Sequence, residues 1–265
     1  MRRLRAVSIG CAIALGASLP MARVHPFGDA GLYAAKGTRS IMTNSSVPVE
    51  VRATLAAKCA DCHSMQTRAP FYGRLAPISW LMERDIVKGR RYLNLSLWDT
   101  YSADQQQTLK AKIVRETKAH EMPLLQYQVI HRNTRITDAD IRTFVKWSAE
   151  TSIVQAGSAG GPILEGDAVR GRAVFEKRCT GCHSMTQDRE GPRLEGVFGR
   201  ASGTVAGFAY SPALKKAHLV WDEASLEQWL TDPDTLVPDN NMGFHVAKPQ
   251  ERLDLISFLK QESGK

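Results

Sequence analysis

The sequence predicts an all-α chain, built as two small helical domains joined by a linker rich in Gly, Ala and Ser. Three observations predict it. Apolar residues recur at helical spacing ahead of two pentapeptides, Cys59-Ala60-Asp61-Cys62-His63 and Cys179-Thr180-Gly181-Cys182-His183. The pentapeptides share the form C-x-x-C-H and fall one in each half of the chain. No stretch in either half carries the pattern of a sheet. A length of 265 residues accommodates two domains, each of about 100 residues. With 43% apolar residues and a mean hydropathy of −0.27, the composition is that of a folded soluble chain, neither disordered nor polytopic.

The expected order is a leader (1–22), an extended lead-in (23–48), a first domain (49–150), the linker (151–165) and a second domain (166–265). Met1-Arg2-Arg3-Leu4-Arg5 is a basic start, and residues 6–19 are apolar or small. This reads as an export signal cleaved among the small residues 17–22, with an uncleaved membrane anchor as the alternative. The run is short against the 20 or so residues of a membrane span. Ser8-Ile9-Gly10-Cys11 faintly suggests a lipoprotein site, but too little apolar sequence precedes Cys11. Residues 25–48 hold Gly, Ser and Pro without periodicity.

Val51, Leu55 and Ala56 mark a helix over 49–58 that runs into the first pentapeptide. Pro70 and Pro77 exclude a continuous helix between them. Residues 78–88 read as a helix, and 89–98 as an extended or turning segment with alternating apolar residues. Ser102-Ala103-Asp104-Gln105 is a capping sequence for a long polar helix reaching about residue 120. Thr137-Asp138 opens another, with Ile141, Phe144, Val145 and Trp147 on or near one face.

In the second half an entrance helix runs from 166 to Cys179, followed by a loop-rich section over 191–207. A short helix from Trp221 stops at Asp232-Pro233, and a final helix over 249–261 is expected to bury Leu253, Ile256 and Leu259.

The C-x-x-C-H form is the attachment signature of a c-type haem. Two thiols on one helical turn each add to a vinyl group of the porphyrin, and the next residue, histidine, falls beneath the iron. Cys59, Cys62, Cys179 and Cys182 are therefore the expected covalent attachments of two haems, with His63 and His183 as proximal ligands. A redox dithiol or half a zinc site would explain one match. Two matches that take four of five cysteines, each followed at once by His, do not suit zinc, and about 115 residues separate the pairs.

The second axial ligand separates a closed electron carrier from an open, reactive iron. In the second half the candidate is Met242, in a Pro- and Gly-flanked loop 59 residues after His183; Met185 and His245 compete. In the first half it is Met122, also 59 residues after its histidine, with His120 and His131 as alternatives.

Charge is uneven. Lys and Arg outnumber Asp and Glu by 6 to 1 over 1–48 and by 16 to 11 over 49–150, but trail 13 to 15 over 165–265. No nucleic-acid motif accompanies the basic excess. A basic first domain suits an acidic redox partner, and membrane contact is expected only where the leader stays attached.

Residues 166–265 resemble the class I cytochrome c family along their whole length. The likeness rests on Gly171, Phe175, Cys179-x-x-Cys182-His183, Gly191-Pro192, Tyr210-Ser211-Pro212-Ala213, Trp221, Trp229-Leu230, Met242 and Phe258-Leu259. The resemblance implies a small all-α fold around the haem, and a Pro192 carbonyl that orients the His183 ring. It also implies packing of Gly171 and Phe175 against the last helix. Residues 49–150 look like a family of small haem-binding domains of bacterial exported proteins. That likeness rests on Cys59-x-x-Cys62-His63-Ser64, Pro77-Ile78-Ser79-Trp80-Leu81, Asp85-Ile86-Val87-Lys88-Gly89-Arg90, Leu93-Asn94-Leu95-Ser96-Leu97-Trp98, Met122-Pro123, Tyr127, His131 and Trp147. It favours Met122 as the distal ligand.

The expected function is one-electron transfer by an exported, periplasmic two-haem protein. The alternatives are a peroxidase-like enzyme with a displaceable ligand at the first haem, and a relay subunit of a larger redox complex.

Overall fold

The structure is a computed structural model that describes residues 2–32, 47–156 and 165–264. Its described residues are helical with no strand; a single bridge pairs Ala201 with Val220. The chain divides into two compact units, Met1–Thr100 and Tyr101–Lys265. The expected lead-in and linker fall largely at 33–46 and 157–164, outside the described residues.

The first unit holds α1 (Arg2–Met21), α2 (Val49–Lys58), α3 (Ala60–His63) and α4 (Ile78–Tyr92), with 3₁₀ turns at Phe71–Arg74 and Leu95–Thr100. Val51 and Leu55 are the buried residues of α2, as its spacing predicts. Helix α4 corrects one expectation. It continues through Gly89-Arg90-Arg91-Tyr92, which the sequence suggested would be extended, before Leu93 turns it off. The glycine suits the position because α3 lies against it and leaves only a tight gap for a side chain. No helix among the described residues is long and apolar enough to cross a membrane.

The second unit begins with α5 (Ala103–Lys118), α6 (Leu125–Ile130) and α7 (Asp138–Ala156). Ser102 and Gln105 form the reciprocal cap of α5 that the sequence announces. Helix α7 runs six residues beyond the expected end of the first domain, so the linker begins as helix.

Next come α8 (Ala168–Val174), a π-helical turn at Phe175–Cys179, α9 (Pro212–Lys216), α10 (Glu223–Thr231), α11 (Pro233–Leu236) and α12 (Pro249–Ser263). Helices α8 and α12 cross closely at Gly171, and Phe175 meets Phe258 at 5.5 Å between ring centres. The buried stripe of α12 is Leu255, Ile256, Phe258 and Leu259, with Leu253 only half-buried, a correction to the expected face. A helix pressed on by α8 along one side and α10 along another needs a wider apolar face than one i, i+3 row supplies.

Candidate haem sites

In the second unit the π-helical turn delivers Cys179 at the end of the entrance helix. The Cys179 carbonyl then accepts from the backbone N–H of Cys182 (3.0 Å) and of His183 (2.8 Å), closing the pentapeptide into one turn. His183 Nδ1 lies 2.8 Å from the carbonyl oxygen of Pro192. A carbonyl only accepts, so Nδ1 carries the proton and the Nε2 lone pair is left for a metal. Burial pushes the His183 imidazolium below its ordinary range, against the opposing pull of the Pro192 carbonyl, so the ring is neutral as a ligand must be. A Cβ on Gly191 would sit 2.2 Å from this ring. The glycine is the space in which the imidazole stands.

Met242 reaches the same cavity from a loop bolted by Asn240. That side chain is wholly buried; its Nδ2 donates to Val237 O (2.9 Å) and Asp234 Oδ1 (3.0 Å), and its Oδ1 accepts from Met242 N (2.7 Å). Asp239 turns the loop with φ +63°. The polar run before Met242 is thus a built turn. Trp229 Nε1 donates to Met242 Sδ at 3.0 Å. Of the competitors, Met185 packs on the apolar core and His245 is buried with Nδ1 against Thr231 O (3.1 Å); neither lines the cavity.

The cavity encloses about 1330 Å³ of non-atom space, its open mouth included. Cys179, Cys182, His183 and Met242 line it with Leu194, Trp221, Trp229, Leu230 and Leu259, and Arg200 and Tyr210 add polar groups to the wall. Burial pushes the Cys179 and Cys182 thiols up to about 12, far from the activated thiolates of redox dithiols. A flat apolar macrocycle held by two thioethers, one neutral imidazole and one thioether sulfur fits this donor set and this lining.

Helix α5 supplies part of the wall, which the sequence did not suggest. Ala111 and Arg115 line the cavity. Thr108 lies over Gly181, and Val114 packs on Gly243, beside Met242. Lys112 pairs with Glu190 at 3.0 Å, and Lys118 pairs with Asp234. Arg178, 6% exposed, ties α5 to α12: it donates to Gln107 Oε1 at 2.9 Å, lies 3.1 Å from Asp104, and pairs with Glu251 at 2.8 Å. The one available signal was a cation placed directly before a cysteine that must be buried.

In the first unit the Cys59 carbonyl accepts from Cys62 N (3.2 Å) and His63 N (3.0 Å), the same closed turn. His63 Nδ1 lies 3.1 Å from the Leu93 carbonyl, so its Nε2 is also left free. Burial lowers the His63 imidazolium, with the Leu93 carbonyl opposing, and pushes the Cys62 thiol up to about 11. A Cβ on Gly89 would stand 3.3 Å from both the Cys62 carbonyl and the His63 ring, so α4 backs the motif closely. Arg90 staples the surroundings by donating to Ser64 O, Ala30 O and Thr67 Oγ1. The donor set again suits a c-type haem.

Met122 is half-buried in the second unit, in the turn that ends α5; its N–H donates to Glu116 O at 3.2 Å. Of its competitors, His120 is exposed and His131 stacks on Tyr127 with ring centres 4.3 Å apart.

A family model described as haem-binding domain matches residues 26–150, and the cytochrome c model matches residues 168–263. Cytochrome c of Chlamydomonas reinhardtii is 46% identical over 103 residues, 37% of this chain and 92% of the algal protein. Cytochrome c of Euglena viridis is 46% identical over 98 residues, 36% of this chain and 96% of that protein. Among solved structures, cytochrome cH from Methylobacterium extorquens is 42% identical, spanning 36% of this chain and 99% of that one, with a TM-score of 0.35. With the thiols, imidazole and sulfur of residues 179–242 gathered on one apolar cavity, this chain belongs to the cytochrome c family, a haem-binding domain preceding the cytochrome c domain, and its chemistry is haem-based electron transfer.

Proposed function

We propose that this chain is an exported cytochrome c carrying two haems, which passes single electrons between redox proteins. The convergence of Cys179, Cys182, His183 and Met242 on one apolar cavity carries the reading. Bound haem supplies the ferric–ferrous couple. The chain holds it through Cys59 and Cys62 in the first site and Cys179 and Cys182 in the second. His63 and Met122 would ligate the iron of the first haem, and His183 and Met242 that of the second. Leu93 and Pro192 hold the imidazole protons, and Trp229 holds the Met242 sulfur. Export follows from the basic and apolar leader and from covalent attachment through paired thiols, with the periplasm as the destination. The basic stretch 49–150 is the surface offered to an acidic redox partner.

Pyridine-adduct absorbance set against protein mass is expected to give two haems per chain, and the double variant Cys59→Ala/Cys62→Ala one. A single haem in the parent chain would overturn the two-haem reading. Both ferric irons are expected to be low-spin; a high-spin signal with hydrogen peroxide turnover would establish the peroxidase-like alternative instead.

Trp229→Phe tests the sulfur contact. The indole withdraws electron density from the sulfur and so disfavours the ferric state. Losing a hydrogen bond worth about 0.5–1.5 kcal/mol lowers the potential of that haem by about 20–60 mV. Redox titration measures it, and an unchanged potential would show that the contact has no hold on the iron.

A further inference from the structure

A separate set of ligating side chains lies outside all the residues assigned to haem. His25, Asp29 and Glu83 each present one donor atom, and the three atoms lie within 4.8 Å of one another. Glu83, on α4, is wholly buried. Its Oε1 stands 2.7 Å from His25 Nδ1, and Asp29 Oδ1 stands 3.9 Å from the same nitrogen.

The second Glu83 oxygen supplies an independent observation. Among the described residues, buried Glu83 Oε2 has no hydrogen-bond partner, and neither does the buried hydroxyl of Ser79, one turn earlier on the same face of α4. A buried carboxylate oxygen without a partner is costly, and a native chain answers it with a donor, a water or a cation.

We propose that His25, Asp29 and Glu83 bind a divalent transition-metal cation of the Zn²⁺ class, which fastens residues 22–32 to α4. Tetrahedral bonds of about 2.0–2.2 Å place ligand atoms roughly 3.4 Å apart. The observed 2.7 and 3.9 Å bracket that value, so one pair opens slightly and the other closes around the ion. Two carboxylates and a neutral imidazole balance the charge and leave a fourth position for water. One imidazole with two carboxylates favours zinc and its neighbours over Ca²⁺ or Mg²⁺, which take all-oxygen shells.

The segment is already seated for the purpose. Ala22, Ala30 and Leu32 are buried, Ala30 and Leu32 pack on Ile86 of α4, and Arg90 holds the Ala30 carbonyl. Three residues beyond the expected leader, His25 remains when the leader is removed. An ion here would brace the helix that places Gly89 against the His63 ring.

Equilibrium dialysis of the holoprotein against Zn²⁺, with the motif cysteines committed as thioethers, is the test. One Zn²⁺ per chain is expected, together with a Zn²⁺-dependent rise in melting temperature. Glu83→Gln should abolish both. Asp29→Asn keeps the fold safe, because that side chain is 64% exposed, and should weaken binding by about tenfold or more. No uptake of Zn²⁺, or uptake that both variants leave unchanged, would overturn the proposal and leave the orphan oxygens to ordered water.

Discussion

Gly171→Ala is expected to lower the melting temperature of the cytochrome c domain by roughly 10–20 °C. An added Cβ at this position would lie 1.9 Å from the Asp254 carbonyl oxygen, 2.5 Å from its carbon and 2.7 Å from the Phe258 Cβ. Two of these three atoms are backbone in the middle of α12, so no rotamer change relieves the overlap and the helices must separate. Alanine gains about 1 kcal/mol of helix propensity over glycine. Prising apart a packed crossing costs about 3 kcal/mol or more, the upper part of the overpacking range. The net loss of about 2–3 kcal/mol, at about 4–8 °C per kcal/mol for a domain of this size, gives the shift.

The loss should extend beyond the glycine. The crossing also carries the Phe175–Phe258 contact and the Arg170 fork onto Asp254, at 2.7 and 2.9 Å. Val169 is the control: it lies on the same helix, 80% exposed, and Val169→Ala should leave the transition nearly unmoved. Thermal unfolding of the holoprotein followed by circular dichroism decides it. Equal melting temperatures for Gly171→Ala and Val169→Ala would show that α8 and α12 do not approach as closely as described.

Met242→Ala is expected to remove about half of the sulfur-to-iron absorption of the ferric protein and to lower one potential by about 0.2 V, a fraction of the 0.8 V or so that axial ligation commands. A thioether sulfur is a weak donor that favours ferrous iron, so His/Met ligation raises the potential. Water or an adventitious nitrogen in its place favours ferric iron. The fold should tolerate the change, because the loop is held by Asn240, whose bonds to Val237 and Asp234 do not involve the methionine side chain.

Met122→Ala is the companion experiment. It should remove the other half of the absorption, and the double variant all of it. An intact band in Met122→Ala would return the first haem to His120, His131 or an open position. An intact band in Met242→Ala would refute the ligand assignment that the cavity supports.

The candidate attachment motifs could be read from the sequence because their pattern is local. Two thiols and an imidazole within five residues need only one turn of backbone to become a haem anchor, and both pentapeptides form that turn with the same two hydrogen bonds to the first cysteine's carbonyl. Helix α2 and the cap of α5 were equally readable, since spacing and capping act within a few residues. The Pro192 carbonyl was reached by resemblance. The role of its counterpart, Leu93, is not legible in the sequence, because that contact depends on α4 running on to Tyr92 and presenting its end to His63. Local propensity disfavours a helix through Gly89, and only contact with α3 rewards it.

By itself the sequence determined the helical class, and it set out two C-x-x-C-H pentapeptides with a methionine 59 residues beyond each histidine as the candidate haem ligands. Tertiary structure decided which methionine faces the second cavity, that Trp229 and Asn240 hold it there, and that α5 closes part of the cavity wall. The reason lies in the range of the forces. Capping, periodicity and covalent spacing act within a turn or two of helix. A cavity wall is chosen by shape and burial among residues as far apart as Ala111 and Leu259, and no local pattern records which of them will meet.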